Sequence, residues 1–136
     1  IDLSKEMISI ARKKYPKGTF LQMDMRDTIF PDDTFNCVWA SASLIHIPKK
    51  EISHVEKEVY RILEPNGVFA FSFKVGQGEG YEKTETMEDH ERYFSYYTLE
   101  EIKKALNLFD IVESKKCPSE VFGNEFMYCW ARSRRK

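Results

Sequence analysis

The chain of 136 residues has room for one domain with a sizeable core, and its content of 42% apolar and 14% aromatic residues is globular rather than disordered. Lys and Arg total 21 against 22 Asp and Glu, and this balance argues against a nucleic acid held by charge. No apolar run approaches the roughly 18 residues that span a bilayer, so no membrane segment is predicted.

The cysteines indicate a reducing environment. Cys37, Cys117 and Cys129 are an odd number with no C-x-x-C pair. Cys37 and Cys129 lie in apolar, strand-like runs, which predicts buried thiols. A disulfide between two of the three is the alternative. With no signal peptide visible at the start, we expect a cytoplasmic protein.

The first part of the chain reads as strand, helix, strand and strand. Residues 1–3 resemble the end of a strand, and Ser4 can cap the helix that follows. Residues 19–23 predict a short strand that ends at Asp24. The run "FNCVWA" at 35–40 is almost wholly apolar, as expected for a strand covered on both faces.

The later part reads as helix, strand, helix and two strands. Apolar spacing predicts a helix over 49–63, and "VFAFSFK" predicts a strand that places Phe69, Phe71 and Phe73 on one face. Thr98 opens a helix with a capping box, and two strands follow around a turn that contains Gly123 and Asn124. This alternation predicts an α/β fold with a mostly parallel sheet and a C-terminal antiparallel hairpin at one edge.

Five segments in this order resemble the later part of a class I S-adenosylmethionine-dependent methyltransferase, of the type 11 or ubiquinone-biosynthesis-like small-molecule branch. They are "IDLSKEMISIAR", "LQMDMRD", "FPDDTFNCVWASASLIHI", "EVYRILEPNGVFAFSF" and "YYTLEEIKKAL…FDIVES". The resemblance runs through residues 1–136 as one partial domain. It implies a Rossmann-like, doubly wound sheet whose cofactor lies beyond the carboxyl ends of the strands.

The resemblance implies cofactor contacts near the first helix. Asp2 matches the acidic residue that receives both ribose hydroxyls, or alternatively it serves the helix entry beside Ser4. Leu3 and Met7 match side chains that line the adenine, although both also fit an ordinary core.

Further contacts are implied at two later strand ends. Asp24 matches the residue that receives the adenine amino group, followed by the backbone of Met25, and its alternative role is to cap the next turn. Ala40 and Ser41 match the positions where backbone groups approach the methionine part. No metal site is predicted.

The acceptor side is less defined. His46 follows the fourth strand of the family pattern and is a weak candidate for a general base, or it is a histidine packed in a loop. Aromatic residues that could line the acceptor pocket, or belong to the core, are Tyr81, Tyr93, Phe94, Tyr96 and Tyr97.

The run "VGQGEG" follows a strand, as a nucleotide-binding loop would. The polar stretch after it lacks the periodicity of a packed helix, and in the family the cofactor loop follows the first strand. We therefore interpret Gly76, Gly78 and Gly80 as a mobile loop over the substrate side, within a lid segment at 76–97.

The family's glycine loop, first strand and first helix do not appear in the sequence. We expect methyl transfer from S-adenosylmethionine to a small-molecule acceptor when that upstream segment is present. The alternative is an inactive, truncated methyltransferase-like fold that acts as a binding module. Either way, an unpaired strand edge predicts self-association, as in a homodimer.

Overall fold

The computed structural model describes residues 1–84, 87–118 and 125–135. Two short 3-10 turns, at Leu44–His46 and Lys49–Glu51, lie between the first strand and the second helix. The helices are α1 (Lys5–Lys14), α2 (Ile52–Ile62) and α3 (Leu99–Ala105), and the strands are β1 (Phe35–Ala40), β2 (Leu63–Val75), β3 (Glu79–Thr84), β4 (Met87–Tyr97), β5 (Phe109–Pro118) and β6 (Glu125–Ser133).

Strand β2 lies at the centre of the sheet. Its Val68–Lys74 segment pairs with antiparallel β6, and β6 pairs with β5, which forms the predicted C-terminal hairpin. The opposite edge of β2 is shared, because parallel β1 runs along it as far as Phe71 and parallel β4 meets it at Lys74 and Val75. Strand β3 lies outside β4. The α/β class is confirmed, with parallel and antiparallel pairs mixed in one sheet.

The helix starts follow the predicted capping chemistry. Ser4 Oγ accepts a hydrogen bond from the Met7 amide at 3.2 Å. Thr98 and Glu101 form the reciprocal capping box of α3. Within the described residues, no helix is both long and apolar enough to cross a membrane.

One face of β2 forms the centre of the core. Phe69, Phe71 and Phe73 are fully buried, as their alternation predicted. They belong to one buried cluster with side chains of both α2 and α3, and the Phe69 ring lies 5.4 Å from that of Phe109 at the start of β5. The core therefore lies between this face of the sheet and two helices.

Strand β1 is more open than predicted. Asn36, Cys37 and Trp39 are exposed, so the expectations of two covered faces and of a buried Cys37 thiol are wrong; Cys129 is buried as predicted. Among the described strands β1 pairs only with β2, which leaves its outer edge without a partner. Trp39 stacks on Tyr128 at 6.2 Å but remains 54% exposed.

Two predicted segments differ in secondary structure. Residues 19–23 form no full strand, and their pairing is a single parallel bridge between Asp2 and Gln22. Most of the segment predicted as a loop at 76–97 is the antiparallel hairpin of β3 and β4. The turn predicted at Gly123 and Asn124 lies outside the described residues.

Candidate functional site

Asp2 lies at the carboxyl end of a short parallel pair. Its amide donates to Leu21 O at 3.3 Å and its carbonyl accepts from the Met23 amide at 3.0 Å. Its side-chain Oδ1 accepts from the Ser4 amide at 2.7 Å, so the helix-entry role exists in the structure. The residue is exposed, and a carboxylate has several lone pairs, so it can still accept hydrogen bonds from a ligand.

Two exposed apolar side chains follow Asp2 within the next five residues. Leu3 is 60% exposed and Met7 is 54% exposed, so the core alternative is wrong for both. Gln22 Nε2 donates a hydrogen bond to Leu3 O at 3.0 Å and so holds the backbone at Leu3. A carboxylate and an apolar surface therefore occur together at the entry of α1.

Asp24 is held by a neighbouring guanidinium. Arg26 Nε lies 2.9 Å from Oδ1, Arg26 Nη2 lies 2.5 Å from Oδ2, and the Arg26 amide donates to Oδ1 at 2.9 Å. The last contact is the turn cap that the sequence offered as an alternative. These hydrogen bonds keep the pKa of Asp24 below its usual value. Arg26 also pairs with Glu51, and Met25 packs against the core, so this loop is fixed beside α2.

The end of β1 carries an unusual backbone. Ala40 is buried and Ser41 is exposed. Ala42 has a φ of 50°, in the left-handed region that an alanine seldom adopts. Its amide donates to Ser72 Oγ at 2.8 Å, which holds the turn against β2. Sequence reasoning missed Ala42 and Ser72, because neither residue type is a signal for this conformation.

His46 lies on the β4 side of the same sheet end. Its Nδ1 is 2.9 Å from Tyr93 O, and because a carbonyl can only accept, Nδ1 carries the proton and Nε2 presents a lone pair. The ring packs on Phe94 at 5.0 Å. Desolvation lowers the pKa of His46, with smaller contributions from the positive charges of Arg92 and Lys74, against the hydrogen bond to Tyr93. The imidazole is therefore neutral near pH 7.

The aromatic candidates divide into two groups. Phe94 and Tyr97 are buried, and Tyr97 packs edge-on against Phe73 in the core. Tyr81 is 71% exposed and meets the half-buried Tyr93 edge-on at 5.2 Å. Tyr96 donates to Glu82 Oε2 at 2.7 Å. Only part of the cluster is therefore open to a ligand.

The glycine run leads directly into strand β3 of the β3–β4 hairpin and not into a helix, in agreement with the sequence argument against a cofactor loop. Gly78 has a φ of 83°. Glu79 Oε2 accepts from the Lys49 amide at 2.7 Å and from Ser95 Oγ at 3.3 Å. The start of the hairpin is thus attached to the turn that precedes α2.

Residues 1–67 match a family model described as a methyltransferase domain. The chain is 43% identical over 56 residues to sterol 24-C-methyltransferase erg-4 of Neurospora crassa, a match that covers 41% of this chain and 13% of the relative. It is 38% identical over 66 residues to demethylmenaquinone methyltransferase of Chlorobaculum tepidum, covering 48% of this chain and 26% of the relative. The chain thus spans only a small part of these relatives' lengths.

The fold matches solved methyltransferases over nearly its whole length. A SAM-dependent methyltransferase from Methanosarcina mazei superposes with a TM-score of 0.83 at 17% identity, covering 99% of this chain and 81% of the other. The 1,6-didemethyltoxoflavin-N1-methyltransferase of Burkholderia thailandensis, solved with S-adenosylhomocysteine, gives a TM-score of 0.75 at 18% identity, covering 97% and 59%. The first half of the chain therefore matches a methyltransferase-domain model, and the whole chain has the fold of S-adenosylmethionine-dependent methyltransferases.

Proposed function

We propose that this protein takes part in methyl transfer from S-adenosylmethionine to a small-molecule acceptor. The observation that carries the proposal is the exposed Asp2 carboxylate beside Leu3 and Met7, which are more than half exposed, within the segment matched by the methyltransferase domain. The cofactor supplies a methyl group already activated on a sulfonium, so the protein's task is mainly to position the acceptor and exclude water.

The residues at the entry of α1 fit the adenosine part of the cofactor. We assign Asp2 to the two ribose hydroxyls, which donate to its carboxylate. Leu3 and Met7 would cover one face of the adenine, and burial of their exposed apolar surface would favour binding. Without a ligand, contact of this apolar surface with water is unfavourable in free energy.

The loop after the Asp2–Gln22 bridge is assigned to the adenine edge. Asp24 would accept from the adenine amino group, and the Met25 backbone would lie beside it. Arg26 already engages both carboxylate oxygens, so Asp24 has less capacity to spare than Asp2. We therefore rank its contribution to affinity below that of Asp2.

The end of β1 is assigned to the methionine part. Backbone groups of Ala40 and Ser41 would approach it, and the hydrogen bond from Ala42 to Ser72 fixes the turn that follows. His46 is assigned as a general base for acceptors that must lose a proton, because its Nε2 lone pair is available while Nδ1 is held by Tyr93.

The acceptor class rests on what similar proteins are named for. Two relatives are named for methylating a sterol and demethylmenaquinone, and a structural neighbour is named for 1,6-didemethyltoxoflavin. All three of these compounds are small molecules. The three free cysteines favour a reducing compartment, so we place the protein in the cytoplasm.

The open outer edge of β1 supports a further part of the proposal. A strand there would satisfy its unpaired backbone groups, so we propose that the active unit includes a glycine-loop segment that pairs along this edge. A second copy of the chain could pair there instead and give a homodimer.

The second candidate function, a binding module without catalysis, is favoured by the same edge and by exposed Trp39.

The test is a calorimetric titration of the complete protein with S-adenosylhomocysteine. Asp2→Ala should weaken binding by about 1.5–3 kcal/mol, the scale of hydrogen bonds to a charged group. Glu113→Ala, which removes an exposed carboxylate in edge strand β5, is the matched control and should bind like the wild type. Equal affinity of Asp2→Ala and wild type would remove Asp2 from the site, and absence of binding by the wild type would favour the binding module.

A further inference from the structure

Lys74 is a buried cation near the carboxyl end of β2. It is 5% exposed, although its side chain carries an ammonium group. The buried acids Glu56 and Glu58 both accept hydrogen bonds, from the Leu108 amide at 2.6 Å and from the Thr28 amide at 2.8 Å. Lys74 takes part in none of the ion pairs that the described residues form. A buried charge of this kind is costly unless something compensates it.

Aromatic rings supply part of that compensation. Lys74 Nζ lies 3.6 Å from the centre of the Phe94 ring and 5.4 Å from that of Tyr96. Glu82 on β3 is the acid whose charge acts on Lys74, and its carboxylate is engaged by the Tyr96 hydroxyl. Burial lowers the pKa of Lys74, and Glu82 opposes this change. The ammonium therefore has an aromatic surrounding and no close counterion among the described residues.

A second basic group packs on the same ring. The His46 imidazole packs on Phe94 at 5.0 Å, and Lys74 lies over that ring as well. Arg92 on β4 adds a second positive charge that acts on His46, while Phe126, the β6 partner of Lys74 in the sheet, is uncharged. These groups occupy the carboxyl end of β2, where ligands of such sheets bind. Lys74 and Arg92 therefore lie close to His46, together with the carboxylates of Glu79 and Glu82.

We propose that Lys74 binds the reacting oxygen of the methyl acceptor, and that the acceptor belongs to the class of ionisable hydroxyls, a phenol or an enol. This inference rests on the proposed methyl transfer and specifies its acceptor. Lys74 holds the developing oxyanion, and His46, whose ring packs on the same Phe94 side chain, receives the proton.

The step balances with the groups present. His46 Nε2 takes the hydroxyl proton, and the oxygen forms a bond to the methyl carbon while the carbon–sulfur bond of the sulfonium breaks and its electron pair stays on sulfur. A methyl ether and neutral S-adenosylhomocysteine result, and His46 later releases its proton to water. An alkene acceptor would instead develop positive charge on carbon, which the ammonium of Lys74 would disfavour.

The test uses 4-nitrophenol, whose absorption distinguishes phenol from phenolate. Bound to the wild-type protein, its pKa should fall by about one unit, which corresponds to a roughly tenfold preference for the anion. Lys74→Met should abolish this shift, Lys74→Arg should retain it, and Lys103→Met, at an exposed position of α3, should leave it unchanged. An unshifted wild type, or a shift that persists in Lys74→Met, would overturn the inference.

Two further measurements complete the test. If circular dichroism shows that Lys74→Met is unfolded, the wild-type lysines are acetylated instead, and the modified sites are identified by mass spectrometry. 4-Nitrophenolate should protect Lys74 and not Lys103, and equal modification of Lys74 with and without the probe would refute the site. Titration of the complete protein with S-adenosylhomocysteine separates the two proposals. Cofactor binding without the shift refutes only the role of Lys74, whereas no cofactor binding refutes the proposed function.

Discussion

The carboxylate of Glu58 offers a quantitative test of how the loop that carries Met25 is held. Its Oε1 accepts from the Thr28 amide at 2.8 Å, from Thr28 Oγ1 at 2.5 Å and from Arg61 Nη2 at 2.7 Å. These contacts, the one with Arg61 above all, lower the pKa of Glu58 from 4.5 to about 2. We expect Glu58→Gln, which keeps the shape and loses the charge, to destabilise the fold.

The magnitude follows from the linkage between pKa and stability. One pKa unit corresponds to 1.36 kcal/mol, so the full shift would contribute roughly 3 kcal/mol. Glu58 is buried, but the Arg61 side chain is 34% exposed, and solvent screening reduces the contribution. We therefore expect Glu58→Gln to lower the free energy of unfolding by about 1–2 kcal/mol at pH 7.

The assay is urea unfolding across pH. Because the pKa of Glu58 is depressed in the folded state, its contribution is complete above the unfolded value near 4.5 and is lost as pH falls toward about 2. The difference between wild type and Glu58→Gln should therefore shrink over this range. Glu113→Gln is the control for an exposed carboxylate. A difference as large near pH 2.5 as at pH 7, or none at pH 7, would refute the reasoning.

Three other outcomes are expected. Gly78→Ala should lower thermal stability by about 1 kcal/mol because of its positive φ, whereas Gly80→Ala, with open space around the added carbon, should change it little. Iodoacetamide should label exposed Cys37 in the native protein and spare Cys129, whose burial raises its pKa to about 11, as mass spectrometry would report. Light scattering of the 136-residue chain should show self-association, and calorimetry should show weak cofactor binding. Trp39→Lys at the open strand should reduce the association. A stable monomer that binds the cofactor with micromolar affinity would contradict this prediction.

Local rules predicted the helices well. Ser4 and Thr98 are polar residues placed directly before periodic apolar runs, and both cap as expected. The alternation of Phe69, Phe71 and Phe73 identified the buried face of β2, since a strand presents successive side chains to opposite faces. These features depend on neighbours in the sequence and can therefore be read from it.

Features that depend on distant partners could not be read in this way. The β3–β4 hairpin is polar, and its pairing with β2 at Lys74 and Val75 has no local signal. Exposure of Cys37 depends on which strands lie beside β1, not on the apolar run itself. The proximity of Lys74 and His46 arises because both contact Phe94, which is distant from both in sequence.

The sharing of one β2 edge by β1 and β4 has a mechanical consequence. The hairpin is attached to β2 by two residue pairs, Lys74 with Tyr96 and Val75 with Tyr97. The contacts of Glu79 and the buried side chains of Phe94 and Tyr97 add to this attachment. Because only two residue pairs join β4 to β2, the attachment of the hairpin depends on side-chain packing as well as on backbone pairing. Lys74 belongs to β2 and Phe94 to the hairpin, so the contact between these two side chains joins the hairpin to the centre of the sheet.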